Sequence, residues 1–166
     1  MSDESTVPKK QKVLIVEDSP QNIKIINEIL KNDYIITAAT SGENAISCLE
    51  VNELPDIILL DIIMPGMDGY EVCRRIKRNK KTSDIPVIFI TAKDDIEDEE
   101  KGFEAGAVDY ITKPVSPSIV KARIKTHLLI KTQQDLLKES ISILQHRAEM
   151  LQNLLDDISK TVSALH

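Results

Sequence analysis

Five polar residues in this sequence could together carry out phosphoryl-transfer chemistry, because each lies at the end of a short apolar run. They are Glu17, Asp18, Asp61, Thr91 and Lys113. Three carboxylates brought together raise one another's pKa unless a cation lies among them, and Mg²⁺ prefers such oxygen ligands. A nearby lysine and hydroxyl could stabilise the charge on a transferring phosphoryl group. The central carboxylate, Asp61, could act as the nucleophile and form an acyl phosphate.

Any one of these residues alone would indicate little, since a strand usually ends in a polar turn. The combination is harder to attribute to turns, because it recurs after four apolar runs and includes a threonine and a lysine as well as acids. The set as a whole therefore predicts one site.

The elements that must position this site are short strands that alternate with helices. The third and fourth strands are continuously apolar, which is typical of strands covered on both faces. Ser19-Pro20 and Asp68-Gly69 indicate helix starts. This alternation predicts a parallel sheet with helices on both faces and with the polar residues at the carboxyl ends of its strands. The predicted strands are Val13–Val16, Tyr34–Thr37, Ile57–Leu60, Val87–Ile90 and Val108–Ile111.

The overall composition limits the classes of function. The 166 residues carry 21 Lys and Arg against 27 Asp and Glu, a net charge of −6, so we expect no nucleic-acid or anionic-membrane partner. No apolar run approaches the roughly 18 residues of a membrane helix, and residues 1–10 form a polar lead-in rather than a signal peptide. Cys48 and Cys73 lack metal-ligand spacing, which favours reduced thiols in a cytoplasmic protein.

The composition changes near Pro117. All five Gly, all seven Pro and all five aromatic residues lie at or before this position, and the 49 residues from Ser118 to His166 contain none of them. Such a segment predicts one long helix. Apolar residues recur along it at intervals of four and three, the heptad pattern of a coiled coil, over about 43 Å. We call these positions the first seam: Leu137, Ile141, Leu144, Ala148, Leu151, Leu155, Ile158, Val162 and Leu165.

The first seam predicts a homodimer, because an isolated helix with such a stripe would be unstable until a partner covered it. Leucines and β-branched residues in alternate positions favour a parallel two-stranded coil. Two alternatives stay open. The tail could fold back onto its own domain, and a second apolar row would allow a four-helix arrangement or a second contact. The members of that row lie seven residues apart: Leu129, Leu136, Ile143 and Met150.

The motifs around the five polar residues resemble those of the receiver domain of bacterial two-component response regulators. The resemblance covers residues 11–130 and implies an α/β, flavodoxin-like (βα)5 fold, a doubly wound parallel sheet in the order 2-1-3-4-5. Residues 131–166 would be a coiled-coil helix that continues the fifth helix. The matching pieces are Val-Glu17-Asp18, Leu-Leu-Asp61-Ile-Ile-Met-Pro-Gly-Met-Asp-Gly, Thr91-Ala and Lys113-Pro.

The resemblance also implies the chemistry of the acidic residues. Asp61 would accept a phosphoryl group from a phosphohistidine on a sensor histidine kinase or a phosphotransfer protein. Glu17, Asp18 and Asp61 would bind Mg²⁺ together with the backbone carbonyl of Ile63.

The remaining site residues would sense and transmit the modification. Lys113 would pair with the phosphoryl group and Thr91 would hydrogen-bond to it. Tyr110, three residues before Lys113, would shift together with Thr91. The signal would then leave through the fourth helix, the fifth strand and the fifth helix, and through the dimeric coil, to an output module or partner.

We expect no enzymatic activity beyond phosphorylation and dephosphorylation of Asp61 itself. One rival is an aspartyl-phosphate phosphatase, but that class requires a second acid two residues after its nucleophile, where this chain has Ile63. The other rival is a pseudo-receiver that is never phosphorylated and acts as a dimerisation or scaffold module.

Overall fold

In the computed structural model, the described residues are 9–51, 53–92 and 96–165, with side chains from residue 100 onward in the last range. Most of the predicted polar lead-in, residues 1–8, lies outside the described residues. Within the described ranges, no helix has both the length and the apolar character needed to cross a bilayer.

Five parallel strands form one sheet in the order β2-β1-β3-β4-β5, which confirms the predicted flavodoxin-like topology. Because β1 pairs with β3 and β3 pairs with β4, the ends of these strands are neighbours at one edge of the sheet. The strands are β1 (Lys12–Val16), β2 (Ile35–Ala39), β3 (Ile57–Asp61), β4 (Val87–Thr91) and β5 (Asp109–Thr112).

β2 ends two residues later than the sequence predicts. β2 continues through Ala38 and Ala39, although alanine has little intrinsic preference for strands. These residues pair with the last two residues of β1. Pairing with β1 therefore overrides local propensity.

The helices begin where their capping residues predict. The Ser19 side chain accepts a hydrogen bond from the N–H of Asn22, and the Asp68 side chain accepts one from the N–H of Glu71. Each cap satisfies a backbone donor that has no partner within its helix. The helices are α1 (Pro20–Leu30), α2 (Gly42–Val51), α3 (Gly69–Arg78), α4 (Ile96–Glu104) and α5 (Pro117–Ala164).

The core lies in two layers, one on each face of the sheet. β3 and β4 are buried along their whole length, as their continuous apolar runs predict. Ile26 of α1 and Ile124 of α5 are buried in one layer, and Val72 and Ile76 of α3 are buried in the other. This double cover holds the strand ends in fixed positions.

The chain divides into two compact units, residues up to Leu129 and residues from Ile130. The 48-residue helix α5 extends through both, which confirms the predicted long C-terminal helix, and its buried residues all belong to the first unit. Every residue from Thr132 to Leu165 is exposed. The first seam is therefore uncovered in the single chain.

Candidate functional site

Three carboxylates meet at the carboxyl edge of the sheet, where β1 and β3 end side by side. Glu17 directly follows β1, and Asp61 is the last residue of β3. Both are buried, whereas Asp18 is exposed. One oxygen from each of the three lies within 4.8 Å of the other two. This spacing would allow one cation to be shared by all three carboxylates.

Lys113 bridges the two buried carboxylates. It directly follows β5, and its Nζ donates to Glu17 Oε2 at 2.9 Å and to Asp61 Oδ2 at 3.1 Å. Its backbone N–H donates to the carbonyl of Thr91 at 2.7 Å, which fixes the lysine beside the end of β4. Three carboxylates against one ammonium leave an excess of negative charge that a hard divalent cation would compensate.

The two buried carboxylates differ in proton affinity. Burial and the nearby charge of Glu17 raise the pKa of Asp61 from 3.8 to about 6, against the opposing effects of Lys113 and of the N–H of Ile63. Burial also acts to raise the pKa of Glu17, but hydrogen bonds from Lys113 and from the N–H of Ser19 outweigh it and lower that pKa. Burial acts to lower the pKa of Lys113, but its two carboxylate partners raise it. Such shifts are typical of functional sites.

A tight loop joins Asp61 to α3 and carries Ile63. The N–H of Ile63 donates to Asp61 Oδ1 at 3.4 Å, and the N–H of Gly69 donates to the carbonyl of Ile62 at 2.9 Å. A Cβ at Gly69 would collide with the carbonyl of Asp61 and with the Cα of Ile62. Gly69, which the sequence indicated only as part of a helix start, therefore also allows α3 to begin close to Asp61.

Thr91 and Tyr110, the two predicted switch residues, line the same small pocket. Thr91 ends β4 and is buried, and its hydroxyl donates to the carbonyl of Ala92 at 3.1 Å. Tyr110 is half-buried in β5, and the ring of Phe103 packs edge-on against it with a centroid distance of 6.3 Å. The structure thus brings both residues to one pocket next to the strand end that carries Thr91.

Beside Tyr110, an ionic cluster joins β5 to α5. Asp109 Oδ1 accepts a hydrogen bond from Arg123 Nη1 at 2.5 Å, and Asp109 Oδ2 lies 2.9 Å from His127 Nε2. Burial acts to raise the pKa of Asp109, but these two partners outweigh it and lower that pKa. The guanidinium of Arg123 also lies 5.9 Å from the centroid of the Tyr110 ring. No motif indicated this cluster, because its members meet only when β5 and α5 pack.

Comparison with known proteins assigns this arrangement to a family. Residues 13–125 match the response regulator receiver domain. The chain belongs to this family. The resemblance carried by its motifs is thereby confirmed, and the first unit is a receiver of two-component signalling.

Curated relatives of this receiver are longer proteins. A probable cyclic di-GMP phosphodiesterase from Vibrio cholerae is 50% identical over 125 residues, which cover 75% of this chain and 28% of that protein. Response regulator PleD from Caulobacter vibrioides is 38% identical over 129 residues, which cover 77% of this chain and 28% of PleD. The receiver chain therefore spans about a quarter of the length of these two relatives.

Solved receivers share its fold. A putative response regulator from Chloroflexus aurantiacus superposes with a TM-score of 0.71 at 36% identity, covering 73% of this chain and 99% of that one. The BeF3-activated DrrB receiver domain superposes with a TM-score of 0.63, also at 36% identity, covering 71% of this chain and 97% of that one. Both matches cover most of the solved chain and correspond to the receiver alone.

Proposed function

We propose that this receiver accepts a phosphoryl group on Asp61 from a phosphohistidine of a sensor histidine kinase or phosphotransfer protein. The observation that carries the proposal is the convergence of Glu17, Asp18 and Lys113 on the Asp61 carboxylate. An oxygen of Asp61 would attack phosphorus while the P–N bond to the imidazole breaks. The imidazole would leave with the bonding electrons and take up a proton. The receiver would catalyse only this reaction and the loss of its own phosphoryl group.

Glu17, Asp18 and Asp61, with the backbone carbonyl of Ile63, would hold Mg²⁺. Two buried carboxylates and one exposed carboxylate form the oxygen-rich donor set that suits this ion. When bound, the ion would neutralise negative charge on the transferring group. Lys113 already contacts both buried carboxylates, so its ammonium would need to move only a short distance to pair with a phosphoryl oxygen.

Thr91 and Tyr110 would report the modification. The Thr91 hydroxyl, which donates to the carbonyl of Ala92, would rotate to donate to a phosphoryl oxygen. This rotation would change the pocket that Thr91 shares with Tyr110 and Phe103, so that Tyr110 could move inward. The signal would leave through the face formed by α4, β5 and α5.

The second unit would connect two copies of the chain. The first seam is apolar at all nine positions and uncovered, which supports a parallel two-stranded coiled coil and hence a homodimer. We place the protein in the cytoplasm, in agreement with its two free cysteines.

The output of the pathway would be the turnover of cyclic di-GMP. The support is the 50% identity to a protein named as a probable cyclic di-GMP phosphodiesterase, of which this chain matches only 28%. The catalytic module would then belong to a longer protein or to a bound partner. Immunoprecipitation with an antibody against this chain, followed by assays of cyclic di-GMP synthesis and hydrolysis, tests this. An absence of both activities would contradict it.

The phosphorylation itself is tested with acetyl phosphate and Mg²⁺ on the full chain. Intact mass spectrometry should detect the addition of one phosphoryl group to the wild type and none to Asp61→Asn, because the amide is not a nucleophile. Asp68→Asn is the matched control. Asp68 caps α3 outside the cluster, and asparagine caps equally well, so this variant should be modified like the wild type.

The outcomes separate the alternatives. Uptake that stops when Mg²⁺ is chelated, and that is absent only in Asp61→Asn, supports the proposal. Equal uptake by wild type and Asp61→Asn would move the acceptor elsewhere. A wild type that is never modified, by acetyl phosphate or by a histidine kinase, would favour the pseudo-receiver that acts as a scaffold.

A further inference from the structure

The loop that joins Asp61 to α3 lies against the first turn of α2. We call this segment, residues 62–68, the Asp61 loop. Glu43, in the first turn of α2, accepts a hydrogen bond at Oε1 from the N–H of Met67 at 3.2 Å. The two residues are 24 positions apart in the sequence. The bond therefore ties the Asp61 loop to a helix that precedes β3.

Glycines on both sides of this bond allow the close approach. A Cβ at Gly42 would lie 3.0 Å from both the Cβ and the carbonyl oxygen of Met67. Gly66 has a φ of +77°, in the left-handed region that favours glycine, and a Cβ there would lie 3.2 Å from Glu43 Oε1. A larger residue at either position would push the loop and the start of α2 apart. The contact between them is therefore close at the level of the backbone.

The Asp61 loop carries the backbone carbonyl of Ile63, which is one of the proposed Mg²⁺ ligands. The direction of a carbonyl is set by the dihedral angles of the chain around it, because the peptide group itself is rigid. The side chain of Ile63 is 69% exposed, so packing does little to fix this residue. Its neighbours hold the loop instead: Met64 is buried, and Met67 is bonded to Glu43.

The carboxyl group of Glu43 is suited to hold an N–H donor. Hydrogen bonds with its own backbone N–H and with the N–H of Met67 lower the pKa of Glu43, and the charge of Arg75 on α3 acts in the same direction. The positive end of the α2 dipole also favours a negative charge in the first turn. The group is therefore a carboxylate at neutral pH, and hydrogen bonds to a charged oxygen are stronger than those between neutral groups.

We propose that Glu43 is a positioning residue for the proposed Mg²⁺ site. By accepting the N–H of Met67, it would hold the Asp61 loop in the conformation in which the carbonyl of Ile63 can serve as a ligand. Glu43 lies outside the cluster of three carboxylates and acts only through the backbone of the loop. Partners that orient metal ligands in this way contribute to the affinity for the ion. This inference rests on the proposed function.

The test is isothermal titration calorimetry of Mg²⁺ into the full chain. Glu43→Ala removes the acceptor of the Met67 N–H, and the dissociation constant for Mg²⁺ should rise about tenfold, as is typical when an outer partner of a metal ligand is lost. Glu43→Gln retains a carbonyl oxygen that can accept the same hydrogen bond, so its dissociation constant should stay within about threefold of the wild type. A role in folding alone would leave the affinity of the folded protein unchanged.

The matched control makes the same substitution at the other end of the same helix. Glu50 is exposed in the last turn of α2, so Glu50→Ala removes one carboxylate from α2 without altering the Asp61 loop. Its dissociation constant for Mg²⁺ should equal that of the wild type. Far-ultraviolet circular dichroism verifies that all three variants keep the secondary structure of the wild type.

The outcomes separate this inference from the proposed function. Weaker binding in Glu43→Ala, with recovery in Glu43→Gln, supports the positioning role. Equal binding by the wild type and Glu43→Ala overturns that role and leaves the proposed Mg²⁺ site intact. Equal losses in Glu43→Ala and Glu43→Gln, or in Glu43→Ala and Glu50→Ala, overturn it as well, because charge rather than the hydrogen bond would then act. A wild type that binds no Mg²⁺ overturns the proposed site itself.

Discussion

At the carboxyl edge of the sheet the chain buries charge, whereas along its second unit it exposes apolar side chains. Glu17 and Asp61 are 1% and 4% exposed, while Leu144 and Leu151 are 63% and 62% exposed. Buried carboxylates are rare unless they are paired, and rows of exposed leucines are rare unless they are covered by a partner. The sheet edge thus buries charged residues, which are usually exposed, and the second unit exposes apolar residues, which are usually buried.

In the proposed function, the two departures would serve different tasks. Buried charge raises the proton affinity of one carboxylate and holds a lysine against it, as the proposed site for Mg²⁺ and a phosphoryl group requires. Exposed apolar surface provides the area that association with another helix buries. The receiver unit would then carry the proposed chemistry and the second unit the proposed assembly. Substitutions in one region, followed by measurement of both phosphoryl uptake and self-association, test this division.

The largest expected effect is the loss of self-association after charge is introduced into the first seam. Leu144→Lys with Leu151→Lys places two ammonium groups in the dimer contact, so light scattering should give the mass of one copy. Phosphoryl uptake from acetyl phosphate should be unchanged, because both substitutions lie in the second unit. The polar-face variant Ser142→Lys with Asn153→Lys should keep the mass of the wild type. Unaltered association of the Leu144→Lys, Leu151→Lys variant would show that the first seam is not the contact.

The next largest effect is a loss of stability when the two buried carboxylates lose the ammonium group of Lys113. Lys113→Met leaves Glu17 and Asp61 buried without compensation, and we expect the free energy of unfolding in metal-free buffer to fall by about 3 kcal/mol. Mg²⁺ should stabilise the variant more than the wild type, since it would replace the missing positive charge. Urea unfolding with and without Mg²⁺ measures both quantities.

The control for this variant removes a lysine from an exposed ion pair. Lys121 pairs with Asp33 at 3.0 Å, and both side chains are about half exposed. Lys121→Met should therefore change the free energy of unfolding by less than about 1 kcal/mol. Equal losses from Lys113→Met and Lys121→Met would contradict the role assigned to the buried pair.

The smallest expected effect is a pH dependence confined to the receiver unit. The pKa of Asp61 is about 6 in the folded state against an ordinary value of 3.8. The folded state therefore binds this proton more tightly than the unfolded state, and the associated stability is lost as pH rises through about 6. Without metal, the free energy of unfolding should fall by about 1 kcal/mol between pH about 5 and about 7.

The variant Asp61→Asn isolates this contribution. Other groups titrate in the same range, but the difference between the two proteins reports the carboxyl group alone. The difference in unfolding free energy should vary with pH in the metal-free proteins and should vary less once Mg²⁺ is present. A difference that does not vary between pH about 5 and about 7 would show that Asp61 has an ordinary pKa.

The fold could be predicted because its main signals are local. Continuous apolar runs indicated β3 and β4, and capping residues such as Ser19 and Asp68 indicated where helices begin. The long helix could be predicted because the chain after Pro117 lacks every residue type that interrupts helices. The limits of β2 could not be predicted, because Ala38 and Ala39 belong to the strand only through their pairing with β1.

The residues of the candidate site could be named from their motifs, but their contacts could not. Nothing in the sequence indicates that Lys113 divides its hydrogen bonds between Glu17 and Asp61. The cluster of Asp109 with Arg123 and His127 could likewise not be predicted, because contacts between side chains of a strand and a helix depend on packing. The sequence therefore identifies the chemical groups, whereas tertiary structure decides their partners and their proton affinities.

The glycine at the start of α3 has a consequence for how this protein can evolve. Gly69 contacts neither the proposed ion nor the phosphoryl group through a side chain, yet any other residue there would strike the backbone of Asp61. In a saturation-mutagenesis library, position 69 should therefore tolerate no replacement, whereas the exposed Asp68 beside it should accept other residues that can cap a helix. The proposed phosphoryl acceptor would thus depend on a position that carries no reactive atom.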